Sequence, residues 1–404
     1  MKESAKSFMQ KAVLSTAGFS AAISPIEATA QANYYDNYSY SHFAEALPVP
    51  SPKETLYTVI GQENSQEIEK QSEFLKGFTY LEFGYEGLGE YMDAYREDVV
   101  GPVLDRMKKD GANSVSYVFP YYQAGPFDSE MSLDNEVTPK DEVIRAFVKE
   151  AHERNLQVIL RPIMYLEDDS QYWRGQIQPD NPQKWFASHG EVMNHYVELA
   201  QEEDVEYFSF GSELTSMENP EYTSYWNEIL TKADNDYDGK ILFSINWGSL
   251  IYGTGINTEL LSNPAIDEIG LSYYYEHPDV LSGASEKELL QSLNDLPLYE
   301  IKTLNELTGK DILIVEAGAT STDAPWQHPW STPSGKPNQQ DQATYYEALC
   351  EAVVGREDLP FIVGVQTWNE GATSLDIDPK TDIGFEIFNK EAEQSVKECF
   401  TDES

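Results

Sequence analysis

A chain of 404 residues with 40% apolar and 12% aromatic side chains is a folded, globular chain long enough for a large core, not a disordered one. Its formal net charge of −43, from 27 Lys and Arg against 70 Asp and Glu, excludes a nucleic-acid partner, which needs a basic face, and argues against a polyanionic substrate. A dense acidic surface keeps a protein soluble and suits a saline setting, but it says nothing about fold.

Residues 1–32 read as a secretory signal. Lys2, Lys6 and Lys11 precede a short apolar run over 12–23, and Ala28-Thr29-Ala30 and Ala30-Gln31-Ala32 both have the small-x-small form of a cleavage site. The expected location is secreted or periplasmic. The apolar run is too short to span a bilayer, and no other segment reads as a membrane span. Residues 33–76 read as a linker or N-terminal extension, in which Pro48, Pro50 and Pro52 oppose a helix.

From residue 77 to 400 the pattern alternates between strand and helix. Strands are expected over 78–83, 114–120, 157–165, 205–214, 241–247, 269–275, 312–316 and 361–368. Helices are expected over 91–109, 139–154, 182–203, 222–234, 286–307, 340–354 and 389–399, with Thr138 capping the second and Pro139 at its first position. Continuous apolar strands between amphipathic helices argue for a parallel sheet covered on both faces, and eight of them argue for an α/β fold of the (β/α)8 TIM-barrel type. An open doubly wound sheet would want a glycine-rich phosphate loop, and neither GxGxxG nor GxxxxGK occurs. Cys350 and Cys399 fall on late helices and read as two free buried thiols rather than a disulfide.

Two strands end alike. Residues 205–214 run apolar and aromatic to Gly211-Ser212-Glu213, and residues 312–318 run apolar to Glu316-Ala317-Gly318. An ionised Glu is a poor strand interior but is tolerated at a strand's C-terminal lip facing a cleft. One such Glu is ordinarily a solvated loop acid; two, at the ends of two buried strands, are the pair that glycoside hydrolysis uses. The other strand ends are Arg161-Pro162, Asn246-Trp247, Tyr273-Tyr274-Tyr275 and Gln366-Thr367-Trp368-Asn369-Glu370. The histidines show no metal-ligand spacing, and Asp168-Asp169 and Asp376-x-Asp378 read as solvated loop acids, so neither a metal nor a cofactor is expected.

Glutamates on strands four and seven with Trp on strand eight are similar to the large retaining clan of barrel glycosidases. Several stretches narrow the resemblance: Tyr172-Trp173-Arg174-Gly175-Gln176-Ile177-Gln178-Pro179 with Trp185-Phe186, Gly211-Ser212-Glu213-Leu214, residues 269–274, Val315-Glu316-Ala317-Gly318, Ala324-Pro325-Trp326, and residues 342–349. In this order, over roughly residues 77–369, the sequence resembles glycoside hydrolase family 113, whose characterised members are mainly β-1,4-mannanases. The resemblance implies Glu213 as acid/base and Glu316 as nucleophile. Ser212 stands where many related barrels place Asn before the acid/base, and family 113 also uses a small hydroxyl residue there. Residues 273–278 and Asn369 depart from the family pattern.

On this reading Glu213 needs an apolar surround and the nearby charge of Glu316 to stay protonated. Arg161 reads either as the cation that keeps Glu316 ionised or as a structural ion pair. Tyr274 or Tyr275 is expected to donate to Glu316, and Trp368 to form a stacking floor. Asn246 lies at a strand end, Trp247 and Trp326 line the cleft or belong to the core, and Trp173 and Arg174 either serve function or pin their loop.

The expected function is a monomeric, retaining endo-β-glycosidase acting on a neutral polysaccharide or oligosaccharide, β-1,4-mannan first and glucan, galactan or xylan as alternatives. A non-catalytic carbohydrate-binding barrel is the rival of a different class, opposed by the presence of both glutamates. A metal-dependent hydrolase or an aldolase would need clustered ligands or a strand-end Lys. The charge carries its own prediction. Loss of residues 1–32 removes three Lys and two Glu and leaves the chain one unit more negative. Self-repulsion should then make the melting temperature rise from low to molar NaCl; a flat or falling value would contradict this.

Overall fold

The fold is described from a computed structural model, over residues 73–81, 97–133, 138–167, 172–251, 256–331 and 333–401. The leader over 1–32 and the linker up to residue 72 lie outside these residues, as do the ends of the first strand and helix at 82–83 and 91–96 and the pair Asp168-Asp169.

Eight strands alternate with helices: β1 (Leu75–Leu81), α1 (Glu97–Lys109), β2 (Ser114–Gln123), α2 (Asp141–Glu153), β3 (Gln157–Leu166), α3 (Pro182–Glu202), β4 (Tyr207–Phe210) and α4 (Thr223–Asp236). Then come β5 (Lys240–Asn246), the single-turn α5 (Thr258–Leu261), β6 (Glu268–Tyr273), α6 (Glu286–Thr308), β7 (Asp311–Ala317), α7 (Gln339–Val353), β8 (Ile362–Glu370) and α8 (Glu391–Thr401). Every neighbouring pair is parallel, and β1 pairs with both β2 and β8, so the sheet closes on itself as a (β/α)8 barrel. A two-residue strand, Met131–Ser132, folds back antiparallel on the end of β2.

Side chains alternate between the barrel interior and the helix layer. Leu75, Ile159, Tyr207, Leu242, Leu313 and Val315 form a small interior cluster, while the helices pack a much larger core against the outer faces. Two residues further along the same faces the interior turns polar: Gly77, Arg161, Ser209 and Ser244 follow Leu75, Ile159, Tyr207 and Leu242. The apolar cluster closes the N-terminal end, and the polar layer opens towards the C-terminal rim.

Four expectations are corrected. β1 starts at Leu75, inside the stretch read as linker. Helix α2 begins at Asp141 after Lys140, whose side chain makes no cap; Val143 and Ile144 N–H donate to the Lys140 carbonyl, so Thr138 and Pro139 precede the helix. Arg161-Pro162, read as the end of the strand expected over 157–165, lies inside β3, which runs to Leu166. β4 pairs with it only at Ile159 and Leu160, so at Pro162 the strand has a neighbour on one side, where a missing N–H is tolerated.

Finally, Cys350 on α7 and Cys399 on α8 form a disulfide rather than two free thiols. The two helices pack side by side, which sets their Cα atoms 6.0 Å apart although 49 positions separate them in sequence. A closed loop of that length stabilises by about 4 kcal/mol on the chain-entropy account. The Cys350→Ser, Cys399→Ser double variant should therefore melt roughly 5–10 °C lower by calorimetry, and reduction should lower the wild type likewise. An unchanged melting temperature would mean that the thiols do not pair.

Candidate active site

Strand β4 stops at Phe210, short of the expected 214, because the next three residues turn left-handed: φ is +82° at Gly211, +49° at Ser212 and +68° at Glu213. The first position requires glycine, since a Cβ there would lie 2.6 Å from the Ser244 carbonyl oxygen. The other two hold conformations that cost a side-chain-bearing residue about 1–3 kcal/mol each and gather at functional sites. The turn lifts Glu213 off the sheet at the C-terminal rim.

Two side chains fix its carboxyl group. Asn246, the last residue of β5, donates from Nδ2 to one Glu213 oxygen at 2.7 Å. Arg174 donates from Nη2 to the other at 2.8 Å and from Nε to the Ser212 carbonyl oxygen at 3.0 Å. Arg174 in turn lies over the rings of Tyr165 and Trp173, 5.5 and 6.0 Å from their centroids. The Trp173 ring lies across Gly175, where any Cβ would meet it at 2.3 Å. The expected apolar surround of Glu213 is therefore corrected to a polar one: an arginine from the loop after β3 and an asparagine hold it.

Glu316 lies in β7, which together with β4 ends at the same rim. Arg161 Nη2 donates to one Glu316 oxygen at 2.6 Å, and Tyr274 Oη to the other at 3.3 Å. Arg161 also donates from Nη1 to the Val315 carbonyl oxygen at 3.1 Å and is fully buried inside the barrel, below the rim rather than on it. Burial pushes the Glu316 carboxyl above its ordinary range, Arg161 pulls it back, and the charge of Glu213 pushes it up again. The charge of Glu213 therefore acts on Glu316 within one site.

The remaining expected residues divide. Trp368, half-buried near the end of β8, precedes a cis peptide bond to Asn369, and its carbonyl accepts from Tyr346 Oη at 3.2 Å. Ser212 is buried and offers Arg174 its backbone, not its hydroxyl. Where the sequence left a choice between cleft and core for Trp247 and Trp326, and between Tyr274 and Tyr275 for Glu316, three of these residues fall to the core. Trp326 is fully buried and donates to the Val280 carbonyl, tying down the loop after β6. Trp247 is 1% exposed and packs on Tyr275, and Tyr275 packs on Tyr273 rather than reaching Glu316. Both tyrosines follow the last residue of β6, and there Tyr274 turns to Glu316 while Tyr275 turns into the core.

Two participants were missed. Tyr165, inside the expected strand 157–165, underlies Arg174 near the end of β3; taking Arg161-Pro162 as that strand's rim residues hid it. Glu218, on the turn after Glu213, is pushed up to about 8 by desolvation and by the charge of Glu213; only its nearness in sequence signalled it. Among the described residues no group of three His, Cys, Asp or Glu is placed to hold a metal, and no helix is long and apolar enough to cross a membrane.

Comparison with solved structures finds the same fold in barrel glycosidases. The β-mannanase AaManA of glycoside hydrolase family 113 from Alicyclobacillus acidocaldarius, solved in complex with ManMIm, is similar at 23% identity and TM-score 0.67, over 81% of this chain and 97% of that one. A complex of a family 113 β-1,4-mannanase is similar at 22% identity and TM-score 0.66, over 81% and 99%. A subfamily 18 member of glycoside hydrolase family 5 from Streptomyces cattleya, in complex with GlcNAc, shares the fold at 12% identity and TM-score 0.55, over 82% of each chain. A search of curated proteins finds no match. The family pattern for Glycoside Hydrolase Family 113 matches residues 81–390. A match over so much of the chain shows that this barrel, with its two rim glutamates, belongs to glycoside hydrolase family 113 and is a glycoside hydrolase.

Proposed function

We propose that the chain is a retaining endo-β-mannanase in which Glu316 is the nucleophile and Glu213 the acid/base. The observation that carries this reading is the placing of the two glutamates on one rim, each held by its own arginine and a neutral donor: Glu316 by Arg161 and Tyr274, Glu213 by Arg174 and Asn246. In the first step a Glu316 oxygen attacks the anomeric carbon, the glycosidic C–O bond breaks, and Glu213 gives its proton to the departing oxygen. In the second, Glu213 takes a proton from water, whose oxygen displaces Glu316 and restores the original anomeric configuration. Such a pair works at a separation of about 5–5.5 Å, with no room for an intervening water.

The fixed donors have separate tasks. Tyr274 and Arg161 orient the nucleophile and stabilise its charge before attack and after release. Trp368 offers a ring face to the reacting sugar. The similarity to solved β-mannanases supports β-1,4-mannan as substrate, and a reducing-end assay on mannan, glucan, galactan and xylan decides among neutral glycans. The Cys350–Cys399 disulfide supports a secreted or periplasmic location, because disulfides persist in oxidising compartments.

Glu316→Ala should nearly abolish turnover. Glu213→Ala should lose most activity on mannan yet keep the first step on an aryl glycoside with a good leaving group. Following product anomers by NMR tests both; initial release of the inverted anomer, or near-normal mannan turnover by either variant, overturns the assignment.

Arg161 supplies a pH test. Its charge favours the Glu316 carboxylate, so the nucleophile protonates, and activity falls, only at lower pH. Without that charge Glu316 must titrate higher. In Arg161→Met the acidic limb of the kcat/KM profile should move to higher pH, whereas Arg161→Lys, which keeps the charge, should move it less. Superimposable acidic limbs in all three proteins would remove Arg161 from this role.

A further inference from the structure

Most large apolar side chains of the barrel are buried, yet two aromatic rings on the catalytic rim are not. Phe127, on the loop after β2, is 46% exposed, and Tyr172, on the loop after β3, is 45% exposed. Their ring centroids lie 5.7 Å apart with planes at 71°. Among the described residues, three other large apolar residues are at least as exposed, Leu281, Tyr299 and Leu307, and they fall outside these two loops; Tyr299 and Leu307 lie on α6.

Phe127 is not exposed because its loop is loose. The buried Gln123 side chain donates to the Gly125 and Asp128 carbonyls and accepts from Trp185 Nε1 at 2.7 Å. From the other side Gln178 N–H donates to the Pro126 carbonyl and Asp180 N–H to the Phe127 carbonyl, both at 2.8 Å. The backbone that carries Phe127 is thus tied to the segment following Tyr172. An apolar ring fixed in water by so many bonds gains nothing for the fold.

The pair is also continuous with the glutamates. Tyr172 is followed by Trp173, whose ring lies beside Arg174; Arg174 covers Tyr165 and holds Glu213. Aromatic surface therefore runs from the outer rim to the acid/base. We infer that Phe127 and Tyr172 form a distal sugar-binding platform that takes pyranose rings of a neutral β-linked glycan several units away from the bond being cut. A sugar ring has an apolar C–H face that packs on an aromatic face, and nearly perpendicular rings give it one face and one edge. A rigid platform loses little entropy on binding. This inference rests on the reading of the site as one that cleaves a neutral glycan chain.

The test compares wild type, Phe127→Ala, Tyr172→Ala, the double Ala variant and Tyr172→Phe, with Tyr299→Ala on α6 as control. The first readout is kcat/KM on a β-1,4-manno-hexasaccharide relative to that on a trisaccharide. The second is retardation in gels cast with mannan, glucan, galactan or xylan. In the double Ala variant the hexasaccharide-to-trisaccharide ratio should fall about tenfold, equivalent to ~1.4 kcal/mol of lost binding. Retardation by the preferred polymer should be lost with it, while Tyr172→Phe and Tyr299→Ala behave as wild type. A ratio unchanged in the double variant overturns the platform. If the wild type cleaves none of the manno-oligosaccharides, the mannanase reading fails and the gels decide the platform. Retardation of wild type that the double variant loses supports it; equal retardation of both, or none of wild type, overturns it.

Discussion

The ion pair between Arg161 and Glu316 is the constraint around which the barrel is arranged. The arginine is fully buried and the glutamate nearly so, at 2.6 Å. A lone charge at either position would be costly, and a buried pair recovers its desolvation only when the remaining donors and acceptors are satisfied too. Here the Val315 carbonyl takes a second guanidinium hydrogen and Tyr274 serves the second carboxylate oxygen, while Arg161 Nε is buried without a partner among the described residues. A guanidinium inside the barrel needs room, and the polar layer supplies it with small residues: Gly77, Ser116, Ser209 and Ser244. Larger apolar side chains are confined to the layer below. The interior is thus split between a stabilising plug and a chemical layer, and the strands carry both.

The two glutamates reach the rim by different means. Glu316 stays in its strand, and the register of β7 against β6 slips beside it, so that Ser272 rather than its neighbour stands opposite. Such a bulge re-aims a side chain without ending the strand. Glu213 leaves its strand through three left-handed residues and is then caught from both sides by Arg174 and Asn246. The strained turn persists because the Arg174 fork bonds the Ser212 carbonyl and the Glu213 carboxyl together.

The loops after β2 and β3 extend this order outward. Gln123, buried at the end of β2, organises one loop; Gly175 lets the Trp173 ring close over the other; backbone bonds join the two. The acid/base is therefore held by a loop that is itself held by its neighbour. This is how a rim built of connecting segments can place a carboxyl group as firmly as a strand does.

The sequence by itself determined the barrel and the two glutamates. Apolar runs of strand length alternate with amphipathic helices, and that period survives any detail of packing. A carboxylate at the end of such a run is legible because its cost in a strand interior is large. Arg161, too, was legible as an ion-paired residue, with Glu316 as one of two readings of its role. Strand ends were less legible: Pro162 looked like a stop, but whether a proline ends a strand depends on which neighbour pairs with it there. Only the tertiary structure decided the rest. It placed Tyr274 rather than Tyr275 on Glu316, buried Trp247 and Trp326, and brought Arg174 and Tyr165 to Glu213. It also joined Cys350 to Cys399. Each of these depends on which faces two segments distant in sequence turn towards each other, and local patterning does not carry that information.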